Sequence, residues 1–359
     1  MAIDNKRFVD VNIVYNQQSS SNTIRDTVVV FTSAAALSTV DKIYASQTEY
    51  NNDTAVYNKD TTLDAFIKTY FDNGGNKVRV KYTAAASLSD SINALDNEYI
   101  VVAYAAASNY TTMQSAASSR QNNSIIYGIN QKILLASYNN SAFTGLSPTE
   151  NFAVKYSKND GAEMTIAAYL SNVDINGINT IHDYNFTQEN LTPETADDTV
   201  LGKVLDNNLN VVMRLAGVNR NLGGNLTDGS DLVNQYTLIV LHQTLTEKVI
   251  NCLAQKIKGS TGLSALYSVI SNELTRYTTC GYLTTDKVWL KPTLTVAKNN
   301  NTYTLIEKGT PLINGYNITI LPLSSLTDEE KSKHQAPYIY IVLADSYGIR
   351  TVTINGEVI

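Results

Sequence analysis

Cysteine is scarce: only Cys252 and Cys280 occur in 359 residues, so no disulfide framework holds the fold. No Cys-x-x-Cys exists, and the three histidines, His182, His242 and His334, have no second ligand at metal spacing, which argues against a metal site. Charged residues make up 17% of the chain, against about 25% in an average globular protein. The net charge is -6 and no basic run occurs, which sets a nucleic-acid partner aside. No apolar run approaches the roughly 18 residues of a membrane span. Residues 1–8 carry Asp4, Lys6 and Arg7 and lack an apolar h-region, so neither a secretory leader nor membrane insertion is expected, and synthesis in a cytoplasm is.

Hydrophobic residues reach 43%, enough for sizeable cores. Asn, Ser and Thr take the place of the missing charge, giving a polar, weakly charged surface that resists association poorly. Tyrosine dominates the aromatics, with 23 Tyr against 7 Phe and 1 Trp. A large apolar face with a wettable end suits surfaces that become interfaces, although a β-rich fold accounts for it equally well.

The stretch 228–283 is the strongest structural signal. Leu238, Leu241, Leu245, Val249, Cys252, Leu253 and Ile257 recur in steps of three and four and predict one long amphipathic helix. Gly259-Ser260-Thr261-Gly262 reads as a stop followed by a cap. Leu263, Leu266, Tyr267, Ile270, Leu274 and Tyr277 predict a second helix closed by Gly281. Glu247, Lys248, Lys256 and Lys258 fall on the polar sides, and His242 is expected on a polar or interface side.

Upstream, strand and helix patterns alternate. Strands are expected at 28–31, 77–82, 99–103, 124–128, 132–137, 152–156 and 209–215, and helices at 61–71, 87–95, 110–120, 162–172 and 199–205. That order predicts a largely parallel sheet covered by helices. Residues 219–229 read as a Gly/Asn loop. Downstream, strands are expected at 288–296, 303–306, 317–321 and 338–343, with a short charged helix at 324–333.

Both ends read as strands without a local partner. Residues 7–15 alternate, and the polar linker Asn16-Gln17-Gln18-Ser19-Ser20-Ser21-Asn22 separates them from the rest. Nine strand residues reach roughly 30 Å, enough to enter a neighbouring subunit. Residues 349–354 alternate as well. Phe8, Val9, Val11 and Ile13 at one end, and Val352, Ile354 and Val358 at the other, are therefore the candidate inter-subunit strands. The plainer reading is that both ends finish the subunit's own sheet.

No catalytic constellation emerges. Gly262-Leu263-Ser264-Ala265-Leu266 lacks the second glycine of a nucleophile elbow, and Gly223-Gly224 lacks the Lys-Ser/Thr of a phosphate loop. Gly74-Gly75 ends a helix before a strand, the reverse of a dinucleotide loop. The pairs Asp197-Asp198 and Glu329-Glu330 read as solvated faces. No enzyme activity and no cofactor are expected.

Three further segments carry a resemblance. Residues 69–80 (Thr-Tyr-Phe-Asp-Asn-Gly-Gly-Asn-Lys-Val-Arg-Val) resemble the helix-Phe-x-Asn-Gly-Gly-strand segment of contractile-tail sheath proteins. Residues 166–176 are similar to the Ala-rich helix and Val-Asp turn of that family. Asn210-Val211-Val212-Met213-Arg214, the Asp228-Gly229 turn, the long helix, Cys280-Gly281-Tyr282-Leu283 and Gln335-Ala336-Pro337-Tyr338 look like its core. The likeness covers most of the chain by order of elements and is strongest to the smaller phage sheath proteins.

The resemblance implies a mixed α+β and α/β, multi-domain sheath-like subunit with extended terminal strand arms. Its implied parts are an N-terminal arm and linker (1–22), an outer α/β domain (23–198), an inner core with two long helices (199–343) and a C-terminal arm (344–359). It implies a structural role in a bacteriophage virion, as a homo-oligomer in rings or a helical assembly around a tail tube, contracting for genome ejection. Baseplate and tail terminator are further implied partners, and Lys248, Lys256 and Lys258 are candidates to face the tube. The alternatives are another phage structural protein, from baseplate or capsid, and a cytoplasmic α/β enzyme.

Overall fold

The computed structural model describes residues 12–13, 27–95, 99–106, 109–123, 132–195, 197–255 and 259–346. A two-residue strand, β1 (Asn12–Ile13), comes first. There follow β2 (Val28–Thr32), β3 (Asp41–Tyr44), α1 (Gln47–Asn52), α2 (Thr61–Asp72), β4 (Val78–Tyr82), α3 (Leu88–Asn93), β5 (Val101–Ala105) and α4 (Tyr110–Asn123). Then come β6 (Ile133–Tyr138), β7 (Phe152–Tyr156), α5 (Met164–Ser171), α6 (Asp198–Asp206), β8 (Asn210–Leu215) and β9 (Val218–Leu222). The helical hairpin is α7 (Leu232–Ala254) and α8 (Gly259–Thr279). The chain continues through β10 (Leu294–Lys298), β11 (Asn301–Ile306), β12 (Tyr316–Ile320), α9 (Asp328–Ser332) and β13 (Ile339–Leu343).

Eight strands form one sheet in the order β3-β4-β2-β5-β6-β7-β8-β9. Its six inner strands are parallel, and β3 and β9 close the two edges antiparallel. Helices cover both faces, so β2 and β5 read as nearly unbroken apolar runs, whereas β4 alternates. Alternate residues serve the two sides. Val28 and Val30 join α2, α5 and α7 in one core, while Val29 and Phe31 join α3 and α4 in the other. The sheet draws on residues 28–222, so the expected domain boundary at 198 falls between β7 and β8 of a single sheet.

α7 is the hub. Asp231 starts it by accepting a hydrogen bond from the Asn234 amide at 2.9 Å. From Leu232 to Thr246 nearly every side chain is buried, including Thr237, His242, Gln243, Thr244 and Thr246. His242, expected on a polar or interface side, is instead buried within the chain. The first four turns are enclosed between the large sheet and α8, and exposure resumes only at Glu247 and Lys248.

Other differences have local causes. The start of the stretch 219–229, read as loop, forms most of β9: Val-Asn-Arg-Asn-Leu is short and polar, but its backbone pairs along β8. The turn expected at 259–262 is the first turn of α8, whose Gly259 has φ +57°. The strand expected from 288 begins at Leu294. β3 and α1 were not foreseen from the pattern. The strand expected at 124–128 lies outside the described residues.

The Asn-Gly-Gly segment is explained by its geometry. The Gly74 amide donates to the Phe71 carbonyl and the Gly75 amide to the Tyr70 carbonyl, both at 3.0 Å, with Gly74 at φ +81°. This double-bonded cap ends α2 and turns the chain into β4. A Cβ on Gly75 would lie 2.4 Å from the ring of Tyr70, which is fully buried and donates from its hydroxyl to the Lys77 carbonyl. Gly75→Ala is expected to cost about 1–3 kcal/mol, the usual penalty for an overpacked site. Gly74→Ala places a side chain in open space but at positive φ. Urea unfolding of both variants, read by Tyr fluorescence, checks that the Gly75 change acts through packing.

Candidate assembly interface

The chemistry-bearing side chains are spoken for within the fold. Both carboxylate pairs serve helix starts. Asp197 accepts from the Val200 amide at 2.8 Å, and Glu330 and Thr327 form a reciprocal capping box at α9. Glu163 is fully buried where parallel α/β sheets commonly hold ligands, near the carboxyl ends of the strands. Asn109 and Ser137 each donate a hydrogen bond to its carboxyl, and burial pushes its pKa up despite them. Among the described residues no group of three or more His, Cys, Asp or Glu could hold a metal ion, and no helix is long and apolar enough to cross a membrane.

The large sheet is closed at both edges. At β3, Asp41 receives two hydrogen bonds from Arg79 at 2.6 and 2.9 Å, and Lys42 pairs with Asp53 at 2.6 Å. An edge lined with charge discourages further strands. At β9 the segment 186–189 lies alongside: the Phe186 amide donates to the Asn221 carbonyl, the Asn221 amide to the Thr187 carbonyl, and the Glu189 amide to the Asn219 carbonyl, at 2.8, 2.8 and 3.1 Å. Beneath it, Lys155 of β7 is fully buried and donates to Glu189 at 2.7 and 2.9 Å, to Asn221 Oδ1 at 2.9 Å and to the Tyr184 hydroxyl at 3.0 Å. Desolvation pulls the lysine pKa down, and the Glu189 carboxylate opposes it. Nothing in the sequence marks this pairing, because its members lie far apart.

The second sheet differs. Its order is β1-β13-β12, and it is built from near the two ends of the chain. β12 and β13 pair antiparallel through five residue pairs, and among the described residues β1 runs parallel to β13 with Asn12↔Tyr340 and Ile13↔Ile341. The sheet sits on α8. The Tyr316 hydroxyl donates to the Ser271 carbonyl at 3.2 Å and lies within hydrogen-bond reach of the Ser271 and Thr275 hydroxyls at 2.9 and 3.0 Å. After β13 the chain is nailed to the hairpin. The Ser346 amide donates to the Tyr282 carbonyl, its hydroxyl to the Gly281 carbonyl, and Asn234 Nδ2 to the Ser346 carbonyl, at 2.8, 2.7 and 2.7 Å. Whatever follows Ser346 therefore leaves from a fixed point beside α7 and α8.

Of the candidate strand residues, Ile13 lies in β1. Phe8, Val9, Val11, Val352, Ile354 and Val358 lie outside the described residues. Lys248 is exposed on α7, and Lys256 and Lys258 lie outside the described residues. Sequence reasoning missed an apolar surface near the end of α8. Ile178 and Ile313 are 76% and 70% exposed. Their neighbours Asn179 and Asn314 bond to Thr279 and Thr278 of the last turn. Leu290, on the adjoining segment, is 74% exposed. Ile178 and Ile313 stand in turn-rich stretches without periodicity, and Leu290 lies in the stretch expected as a strand, which begins only at Leu294.

The buried Lys155–Glu189 pair is expected to hold the β9 edge shut. Glu189→Ala leaves a buried ammonium without its counter-charge and should destabilise by roughly 3–5 kcal/mol. The double change Lys155→Met with Glu189→Leu should cost clearly less, measured by chemical denaturation of the three proteins.

No protein-family model matches the sequence, and no curated protein matches it. Solved structures do. The chain is similar to a chain of the PVC sheath complex of an extracellular contractile injection system in the contracted state, with a TM-score of 0.62 and 14% identity over 98% of both chains. It is similar to a chain of the anti-feeding prophage baseplate, with a TM-score of 0.66 and 14% identity over 97% of this chain and 99% of that one. It is also similar to the contracted helical sheath of the anti-feeding prophage, with a TM-score of 0.62 and 12% identity over 98% of both. With its mixed eight-stranded sheet, helical hairpin and terminal sheet matched from end to end, the chain has the fold of contractile-sheath proteins.

Proposed function

We propose that this chain is the structural subunit of a contractile sheath, polymerising around a tail tube and contracting to drive that tube through a target envelope. The observation that carries the reading is the end-to-end correspondence with two contracted sheaths, in which neither chain leaves a domain unmatched. The low surface charge supports it, because a weakly charged surface resists association poorly. In this reading Phe8, Val9, Val11 and Ile13, with Val352, Ile354 and Val358, form the strands passed between copies. Main-chain pairing keeps copies joined while their bodies rotate as rigid units. The energy of contraction is stored at assembly, and the role is structural rather than enzymatic. Lys248, Lys256 and Lys258 face the tube from the far end of the hairpin. Tube protein, baseplate and tail terminator are the partners, and the particle is a phage tail or a tail-derived injection device.

A second reading, a subunit at the baseplate end, is favoured by the match to a baseplate chain. Purified protein viewed by negative-stain microscopy separates the two: a sheath subunit forms tubes of indefinite length, and a baseplate subunit closes single rings. Deleting residues 1–18 is expected to abolish tubes while leaving the circular dichroism spectrum and the unfolding midpoint nearly unchanged. Tubes formed by the truncated chain would contradict the assignment of the N-terminal arm.

A further inference from the structure

An asparagine followed by glycine is open to loss of ammonia, because no side chain on the glycine keeps its amide nitrogen away from the asparagine carboxamide. Four such pairs occur in the chain, at 73–74, 176–177, 314–315 and 355–356, the last outside the described residues. The fold treats the other three differently. At 73–74 the Gly74 amide is held by the Phe71 carbonyl at 3.0 Å. Asn73 is held at both ends of its carboxamide: Nδ2 donates to the Thr69 carbonyl at 2.9 Å and Oδ1 accepts from the Asn190 amide at 2.7 Å. At 314–315 Gly315 is buried, and its amide donates to the Leu312 carbonyl at 2.8 Å.

At 176–177 the protection is missing. Asn176 is exposed, and among the described residues the Gly177 amide donates no hydrogen bond. Asn176 Oδ1 accepts from Arg276 Nη1 at 2.6 Å, while Nδ2, the group that would leave, has no partner among the described residues. A cation on that oxygen draws electrons from Cγ and stabilises the negative charge that develops there under attack. We propose that Asn176 is a modification site at which the folded chain deamidates itself. Hydroxide takes the Gly177 amide proton, the nitrogen electron pair bonds to Asn176 Cγ, and the Cγ–Nδ2 bond breaks as ammonia leaves with a proton from water, which returns the hydroxide. Water then opens the cyclic imide. Cleavage between Cγ and the Gly177 nitrogen gives aspartate, and cleavage between the main-chain carbonyl and that nitrogen gives isoaspartate. Water is consumed and ammonia released, and nothing is oxidised or reduced.

The product alters the surface beside it. Ile178, next in the chain, is 76% exposed, and the Asn179 and Ile181 amides donate to the Thr279 and Cys280 carbonyls at the end of α8, both at 3.0 Å. Isoaspartate lengthens the main chain by a carbon just ahead of those bonds and displaces Ile178. Aspartate adds a negative charge facing Arg276, which already pairs with Glu273. The apolar surface near the end of α8 therefore changes with the age of the subunit.

The test compares the three pairs in one molecule. Full-length protein is held in mildly alkaline buffer, either folded or in guanidinium chloride, and conversion of amide to acid at each asparagine is followed by peptide mapping with tandem mass spectrometry. In denaturant the three should convert at similar rates. In the folded chain Asn176 should convert at least about tenfold faster than Asn73 and Asn314, where a hydrogen bond must break before the glycine amide can attack. A smaller ratio would overturn the proposal. The rate at Asn176 should also rise with pH, as removal of an amide proton requires, and a rate independent of pH would overturn the route through the Gly177 nitrogen.

Discussion

A strand buried in a sheet must have its backbone donors and acceptors paired on both sides. β13 is such a strand, with Ile341, Val342 and Leu343 buried and β12 supplying one side only. On the other side, among the described residues, Asn12 and Ile13 from near the opposite end of the chain lie parallel to it. The open surface, the closed edges of the large sheet and the anchoring of Ser346 gain their meaning from that requirement. The anchoring of Ser346 beside α7 and α8 fixes the β13 end of the terminal sheet to the body.

Rigidity comes from α7. It lies against the large sheet on one side and α8 on another, and the terminal sheet packs on the same continuous core through Tyr316, Ile341 and Leu343. A displacement of the terminal sheet therefore carries the whole body with it. That is the property a subunit needs if a lattice is to change shape by rotation of intact units linked through hinges. The buried Lys155–Glu189 pair and the Gly75–Tyr70 contact belong to the same logic. Each stiffens the large sheet, one at its β9 edge and the other where α2 turns into β4.

The inner strands and most helices were legible in the sequence because their patterns are long and undiluted. The Val28–Phe31 run, the Leu63–Phe66–Ile67–Tyr70 face and the hairpin stripe all read directly. β9 was not, since a polar pentapeptide becomes a strand only when β8 offers it partners. The burial of His242 was not foreseen for a related reason. Thr237, Gln243 and Thr246 look like a wet face, yet burial of a helix is decided by how many elements surround it. For the candidate interface, alternation flagged Ile13, but its partner strand could not be read, because Tyr340 and Ile341 lie more than three hundred residues away. Ile178 and Ile313 carry no pattern at all, and the strand pattern around Leu290 did not signal its exposure.

The central proposal is that copies of this chain are joined in the assembly by strands shared at the terminal sheet. A cryo-EM reconstruction of tubes grown from the full-length chain, at a resolution that traces the 14–26 connection, measures this directly. The account predicts that the strand parallel to β13 traces back to a neighbouring copy in every subunit of the tube. A tube in which each β13 remains paired with residues 12–13 of its own chain would contradict it.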